Sequence, residues 1–153
     1  MHKSEKIWLT LSFGMIMLFM LTMGYHAFSQ GMYPPGGMER IDPQKVDETP
    51  PFDQPGIRQV GENEYEVAMT LEAFVFAPAD IKVPAGSTVH FKLTSKDVIH
   101  GFQITGTNAN GMVIPGYVLN ITQTFGRPGK YLILCNEYCG AGHAYMSGTV
   151  TVV

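Results

Sequence analysis

Cys135-Asn-Glu-Tyr-Cys139-Gly-Ala-Gly-His143-Ala-Tyr-Met146 places two thiols, an imidazole and a thioether within one short stretch, in the spacing Cys-x3-Cys-x3-His-x2-Met. Soft sulfur donors together with imidazole favour copper, and a methionine donor is hard to explain for zinc or for an oxygen-loving metal. A second imidazole, His100, lies upstream inside Asp97-Val-Ile-His100-Gly-Phe102. These five side chains read as one copper site built from a loop and a strand.

The rest of the chain reads as what holds that site. Its 153 residues suffice for one domain plus appendages. The net charge of −3 argues against a nucleic-acid partner. Residues 31–66 carry eight acids and three bases, whereas 67–153 carry four acids and five bases. The copper-bearing part is therefore almost neutral, and long-range electrostatic steering of a partner should be weak. Two cysteines four positions apart make no disulfide framework.

Residues 1–6 form a polar tail. Ile7 to Phe28 contain no Asp, Glu, Lys or Arg, and as a helix would span roughly 33 Å, enough for a bilayer core. Trp8 at one end and Tyr25 with His26 at the other suit its two interfaces. The alternative is a cleaved signal peptide, for which Ala27-Phe28-Ser29 would serve as cleavage site, but the apolar run exceeds the usual length. An uncleaved anchor is expected. Lys3 and Lys6 place its N-terminus in the cytoplasm and the following domain outside. Residues 29–63 hold six of the ten prolines and six of the thirteen acids, and read as an extended, solvated linker.

From Tyr65 onward the pattern turns to period two, rich in β-branched and aromatic residues. Strands are expected at 64–71, 80–84, 88–94, 98–105, 118–125, 130–135 and 147–153, punctuated by Pro84-Ala-Gly86, Gly106, Pro115-Gly116 and Pro128-Gly129. Short strands at this spacing imply a β-sandwich. Val89, Phe91 and Leu93 share one face, which turns His90 and Lys92 to the other.

Several arrangements compete for the metal site. Cys135 and Cys139 as a disulfide would close a strained small ring and leave His143 and Met146 unexplained. Zinc on Cys135, Cys139, His143 and His100 satisfies the count but leaves Met146 idle. A single copper on Cys139, His143, Met146 and His100 leaves Cys135 over. Two coppers bridged by both thiolates use every donor, each taking one imidazole, with the weak positions falling to Met146 and a backbone carbonyl of the loop. Bridging thiolates spread one unpaired electron over both metals, so reduction changes each bond little. Gly140 and Gly142 let the loop fold tightly, and strand ends on a rigid sandwich hold the ligands still. No open coordination position or nucleophile–base pair is evident, so such a site carries electrons and does not transform a substrate.

At these residues the sequence resembles subunit II of the haem–copper cytochrome c oxidases. The resemblance covers nearly the whole chain and rests on C-x-E-x-C-G-x-x-H-x-x-M with Asp97-Val-Ile-His100-Gly-Phe102 as partner strand. The single span and short domain look most like the B-family. The resemblance implies a mainly β fold, a cupredoxin-like Greek-key β-sandwich over 64–153 with one N-terminal transmembrane helix over 7–28. It implies two copper ions in a copper A centre, bridged by Cys135 and Cys139, with His100 and Met146 serving one and His143 and the Glu137 carbonyl the other. Electrons would arrive from a cytochrome c or similar carrier and pass to haem in subunit I, where oxygen is reduced with proton pumping. The setting implied is a bacterial or archaeal cell membrane, with lipid around the helix and the copper domain on the periplasmic or extracellular side.

Three further residues carry expectations from the same resemblance. Glu5 matches a carboxylate through which B-family members take up protons at the cytoplasmic face. Phe76 stands where relatives put an aromatic near the surface at which electrons arrive. The Glu137 side chain holds magnesium in the A-family, whereas some B-family members have Gln there. The rival readings are a stand-alone membrane-tethered cupredoxin that shuttles electrons or handles copper, a relative of nitrous oxide reductase, for whose catalytic domain this chain has no room, and a non-redox zinc module.

Overall fold

A computed structural model describes residues 2–30 and 39–153. They divide into two units, Met1–Pro34 and Pro35–Val153. In the first, the apolar run forms one helix, α1 (Lys3–Gln30), which extends past both ends of the expected span. Its start is capped from within: the His2 backbone N–H donates to Glu5 Oε2 at 2.8 Å, the reciprocal half of a capping box. Inside the helix, the Thr10 and Thr22 hydroxyls donate to the Lys6 and Phe19 carbonyls at 2.7 and 2.8 Å. Their polar groups are thus satisfied without water, as a hydrocarbon surrounding demands.

The second unit is a two-sheet sandwich. Its strands are β1 (Glu39–Arg40), β2 (Gly56–Gly61), β3 (Glu64–Glu72), β4 (Val75–Ala77), β5 (Asp80–Val83), β6 (Ser87–Ser95), β7 (His100–Ile104), β8 (Asn110–Val113), β9 (Tyr117–Phe125), β10 (Gly129–Leu134) and β11 (Ser147–Val152). One sheet has the order β1-β9-β6-β3-β2 with β4 added on β3, and the other β5-β11-β10-β7-β8. The β3–β6 and β5–β11 pairs are parallel, the rest antiparallel. The expected period-two alternation holds in β6, where Val89, Phe91 and Leu93 are buried while His90 and Lys92 are not. Those three meet Phe102, Ile104, Ile133 and Val150 from the opposite sheet in one core, the inner-face packing that defines a sandwich. Each of the seven expected strands forms, with ends shifted by one or two residues. β1, β4 and β8 have two to four residues, too short for alternation to reveal them.

Residues 39–63 correct the expectation of a solvated linker; residues 31–38 lie outside the described residues. β2 joins β3 through a tight hairpin whose Asn63 has φ 58°, a conformation asparagine tolerates better than most residues. Ile41, Val46 and Phe52 are buried with Ala68 and Val118 in a second, smaller cluster. Val67, Met69 and Leu71 of β3 belong to the main core, so Ala68, between them, points to the other side of the sheet. The segment is a strap over that outer face, and Lys96 reaches it with an ion pair to Asp47 at 2.5 Å. Three apolar residues scattered among prolines and acids give no periodic signal, which is why composition alone mistook the strap for a linker.

Phe52 is 1% exposed. Phe52→Ala is expected to lower the unfolding free energy by about 3 kcal/mol or more, since the emptied volume adds to the lost transfer energy. Denaturant titration of the full chain in detergent checks this; a loss under about 1 kcal/mol would mean the strap contributes little.

Candidate metal centre

The ligand stretch is the connection between two paired strands. β10 ends at Leu134, β11 begins at Ser147, and these two residues pair. The Cys135 N–H donates to the Met146 carbonyl at 3.4 Å, which carries the ladder one step further. The first and last sulfur donors are therefore held side by side by the sheet itself. Within the loop, Gly140 has φ 132°, a left-handed conformation suited to glycine. A short turn at His143–Tyr145 follows, closed by the Met146 N–H on the His143 carbonyl.

Donor atoms converge from both ends of this loop and from β7. The Cys135 and Cys139 sulfurs are 3.8 Å apart, too far for a disulfide and close enough for metal–sulfur bonds of about 2.3 Å to meet between them. His100 Nδ1 lies 4.0 Å from the Cys135 sulfur, and His143 Nδ1 lies 3.5 Å from that of Cys139. Met146 Sδ is 3.8 Å from the Cys139 sulfur, and the Glu137 carbonyl oxygen 3.2 Å from that of Cys135. His100, Cys135, Cys139 and Met146 are all buried. Their chemistry fits copper: two soft sulfurs, two imidazoles, one thioether and one carbonyl.

His100 is set in advance for this role. Its Nε2 is 2.8 Å from Asp97 Oδ1. A carboxylate only accepts, so Nε2 donates to it and Nδ1 is the ring atom left facing Cys135. Burial tends to raise the Asp97 pKa, but hydrogen bonds from His100, the Val98 N–H and the Ala73 N–H outweigh it and hold the carboxyl below its ordinary value. The neighbouring Gly101 N–H donates to the Cys135 sulfur at 3.4 Å. A Cβ at Gly101 would stand 2.6 Å from the Asn136 nitrogen, so only glycine lets β7 come this near the loop.

The chain matches the family model for the cytochrome c oxidase subunit II periplasmic domain over residues 64–153. It is 43% identical over 152 residues to a cytochrome c oxidase subunit 2 of Thermus thermophilus, covering 97% of this chain and 90% of that one. A second subunit 2 sequence from Thermus thermophilus is 47% identical over 124 residues, covering 80% and 92%. A chain of a haem–copper terminal oxidase dimer solved by cryo-EM superposes with a TM-score of 0.80 at 33% identity, covering 99% of this chain and all of the other. The chain belongs to the cytochrome c oxidase subunit II family. It is accordingly a membrane-anchored subunit of a haem–copper oxidoreductase, and its sandwich is the cupredoxin-like fold expected. The periplasmic domain of the Bradyrhizobium japonicum subunit II, at 19% identity and TM-score 0.53, over 57% of this chain and 83% of that one, shares that fold.

Within this subunit II the remaining expectations fall out unevenly. Phe76 is 1% exposed and packs edge-on against Phe102 at 6.3 Å. That corrects its placement near a surface: it is a core residue. Phe74, half-buried, is the aromatic that meets the ligand loop, because a Cβ at Gly140 or Gly142 would run into its ring. The two glycines thus make a seat for Phe74, a reason the loop sequence does not display. Glu5 belongs to the helix unit and caps α1. Sequence reasoning assigned no role to Asp97, Gly101 or Phe74; an acid three positions before a ligand histidine was the one available signal.

Burial first, then the neighbouring Cys135 sulfur, pushes the Cys139 thiol up to about 11 from an ordinary 9.0. The folded metal-free chain therefore keeps this proton at pH values where the unfolded chain has lost it. The stabilisation is fully present below pH 9 and disappears as the pH rises through 11. Denaturant midpoints of the metal-free chain should fall between pH 9 and 11, and Cys139→Ser should flatten that fall.

Proposed function

We propose that this subunit receives electrons from a cytochrome c or similar donor at a dinuclear copper centre and passes them to haem in subunit I for oxygen reduction coupled to proton pumping. The observation that carries the reading is the convergence of four donor atoms on two cysteine sulfurs 3.8 Å apart, six donors in all. Six exceed the four that a single tetrahedral ion takes, and two ions sharing both sulfurs use them all. Cys135 and Cys139 would be shared by both ions, with His100 and Met146 completing one and His143 and the Glu137 carbonyl completing the other. A bridging sulfur belongs to both ions, so its nearness to one weak donor or another is neutral between pairings. When bound, such a centre supplies one-electron transfer with little change in bond length.

The residues of the chain do the rest. Asp97 fixes the His100 tautomer, and the β10–β11 ladder holds the loop ends. Tyr138, between the two cysteines, and Tyr145, beside Met146, are 79% and 86% exposed, and Val98 and Ile99 beside His100 are 44% exposed each. These side chains offer the donor an apolar surface next to the ligands. Lys3 and Lys6 support a cytoplasmic N-terminus with the copper domain on the opposite side of the membrane. Glu5 at that N-terminal end is then the carboxylate available for proton uptake, and lipid covers α1.

Copper counting with electron paramagnetic resonance tests the centre. The full chain should take up two coppers and give a seven-line hyperfine pattern. Cys135→Ser should abolish the pattern, and a variant that kept it would disprove bridging by that residue. A single copper per chain would sink the reading as a whole.

The near-neutral charge of residues 67–153, which carry the candidate ligands, predicts how the donor docks. Its reduction rate should fall by less than about tenfold between low and physiological salt. Stopped-flow reduction of the purified oxidase at several ionic strengths checks this, and a loss of several decades would mean that charge, not apolar contact, steers the encounter.

A further inference from the structure

Asp97 does more than orient one imidazole. Its Oδ1 accepts from His100 Nε2 at 2.8 Å and from the Val98 N–H at 2.6 Å. Its Oδ2 accepts from the Ala73 N–H at 2.7 Å. Ala73 is the residue immediately before Phe74, in the turn between β3 and β4. Phe74 lies over Gly140 and Gly142, the segment between the donors Cys139 and His143. One carboxylate thus grips a ligand ring with one oxygen and, with the other, the backbone that carries the aromatic cover of the ligand loop. Ser95 braces the same group, its hydroxyl 3.3 Å from Oδ1 and donating to the Val98 carbonyl at 2.5 Å.

We propose that Asp97 is a positioning residue that latches the His100 ring to the Phe74 cover, so that the ligand from β7 and the loop under Phe74 keep one common geometry. The two would otherwise be set independently, because His100 is placed by β7 and Phe74 by the β3–β4 turn. A charged acceptor shared between them makes a displacement at one cost hydrogen-bond energy at the other. The consequence for function rests on the copper reading above: ligands from two separate elements stay in register when the charge on the metals changes. The latch itself is a property of the chain and is present without metal.

The test uses the full chain in detergent micelles and reads His100 in the metal-free state. The Nε2 proton should be visible by nuclear magnetic resonance, because the ring is fully buried and the proton is held by Asp97. Asp97→Asn should speed its exchange by about tenfold or more, as expected for loss of a hydrogen bond to a charged partner. Phe74→Leu, which alters the cover and leaves Asp97 in place, should shift the His100 ring signals, whereas Phe74→Tyr, which keeps a ring in the seat, should leave them near the wild-type position. In the Asp97→Asn background, Phe74→Leu should move His100 little further, the non-additivity that marks a coupled pair. Should Asp97→Asn prevent folding, the Phe74→Leu and Phe74→Tyr pair still decides. The proposal is overturned if Phe74→Leu leaves His100 unmoved, or moves it equally with and without the carboxylate. In the copper-loaded chain, Phe74→Leu and Asp97→Asn should each shift the reduction potential, and together by less than the sum. Wild-type chain that took up a single copper would overturn the function proposed above while leaving the metal-free result standing.

Discussion

Everything in this domain is arranged around two sulfur atoms that would repel one another as thiolates. At 3.8 Å and in a buried site, a pair of negative charges is opposed both by burial and by mutual repulsion. The consequence shows at Cys139, whose proton is held up to about pH 11. Metal cations between the sulfurs reverse that balance, since they compensate both charges at once. A flexible loop would relieve the repulsion by swinging the sulfurs apart. This loop is tied at both ends instead, Leu134 paired with Ser147 and the Cys135 N–H bonded to the Met146 carbonyl. The sheet therefore holds the sulfurs together where a free loop would let them separate.

The remaining elements serve that same constraint. β7 lies between β10 and β8, so the backbone that presents His100 cannot drift from the strand that leads into Cys135. Gly101 lets β7 come close enough for its N–H to reach the Cys135 sulfur. Beneath, Phe76 and Phe91 each pack against Phe102 as an apolar floor that does not yield to water. On the outer face of the other sheet, the strap with Val46 and Phe52 covers Ala68 and Val118. β3 is thereby buried on both sides, as a rigid central strand should be.

What could be read from the residues follows the range over which each signal acts. The ligand stretch was legible because its donors lie within one loop and their chemistry is unusual. The long strands β3, β6 and β9 were legible because alternation repeats along them. The strap was not: Ile41, Val46 and Phe52 are too sparse to set a period, and four prolines argue locally for a linker while tertiary packing overrides them. That Phe76 is buried while Phe74 meets the loop was hidden for a related reason. Both are aromatic and two positions apart, and which one meets the loop depends on Gly140 and Gly142, far along the chain. The glycines themselves looked like conformational devices, and Gly140 is one, but the space they leave for the Phe74 ring became visible only in three dimensions.

The metal-free donors already stand within 3.2–4.0 Å of a cysteine sulfur, and Nδ1 of His100 already faces inward. Loading such a site asks the chain for protons more than for movement, because a thiol must give up its hydrogen before it binds while the backbone stays where the ladder holds it. The same rigidity suits electron transfer. A centre whose ligands are fixed by the sheet before any metal arrives has little freedom to rearrange when the charge on that metal changes by one, and the barrier that rearrangement would add is kept small. The architecture that keeps the two sulfurs close, despite the repulsion they would have as thiolates, is therefore the same one that would limit rearrangement at a loaded centre, and no second device is needed for the second task.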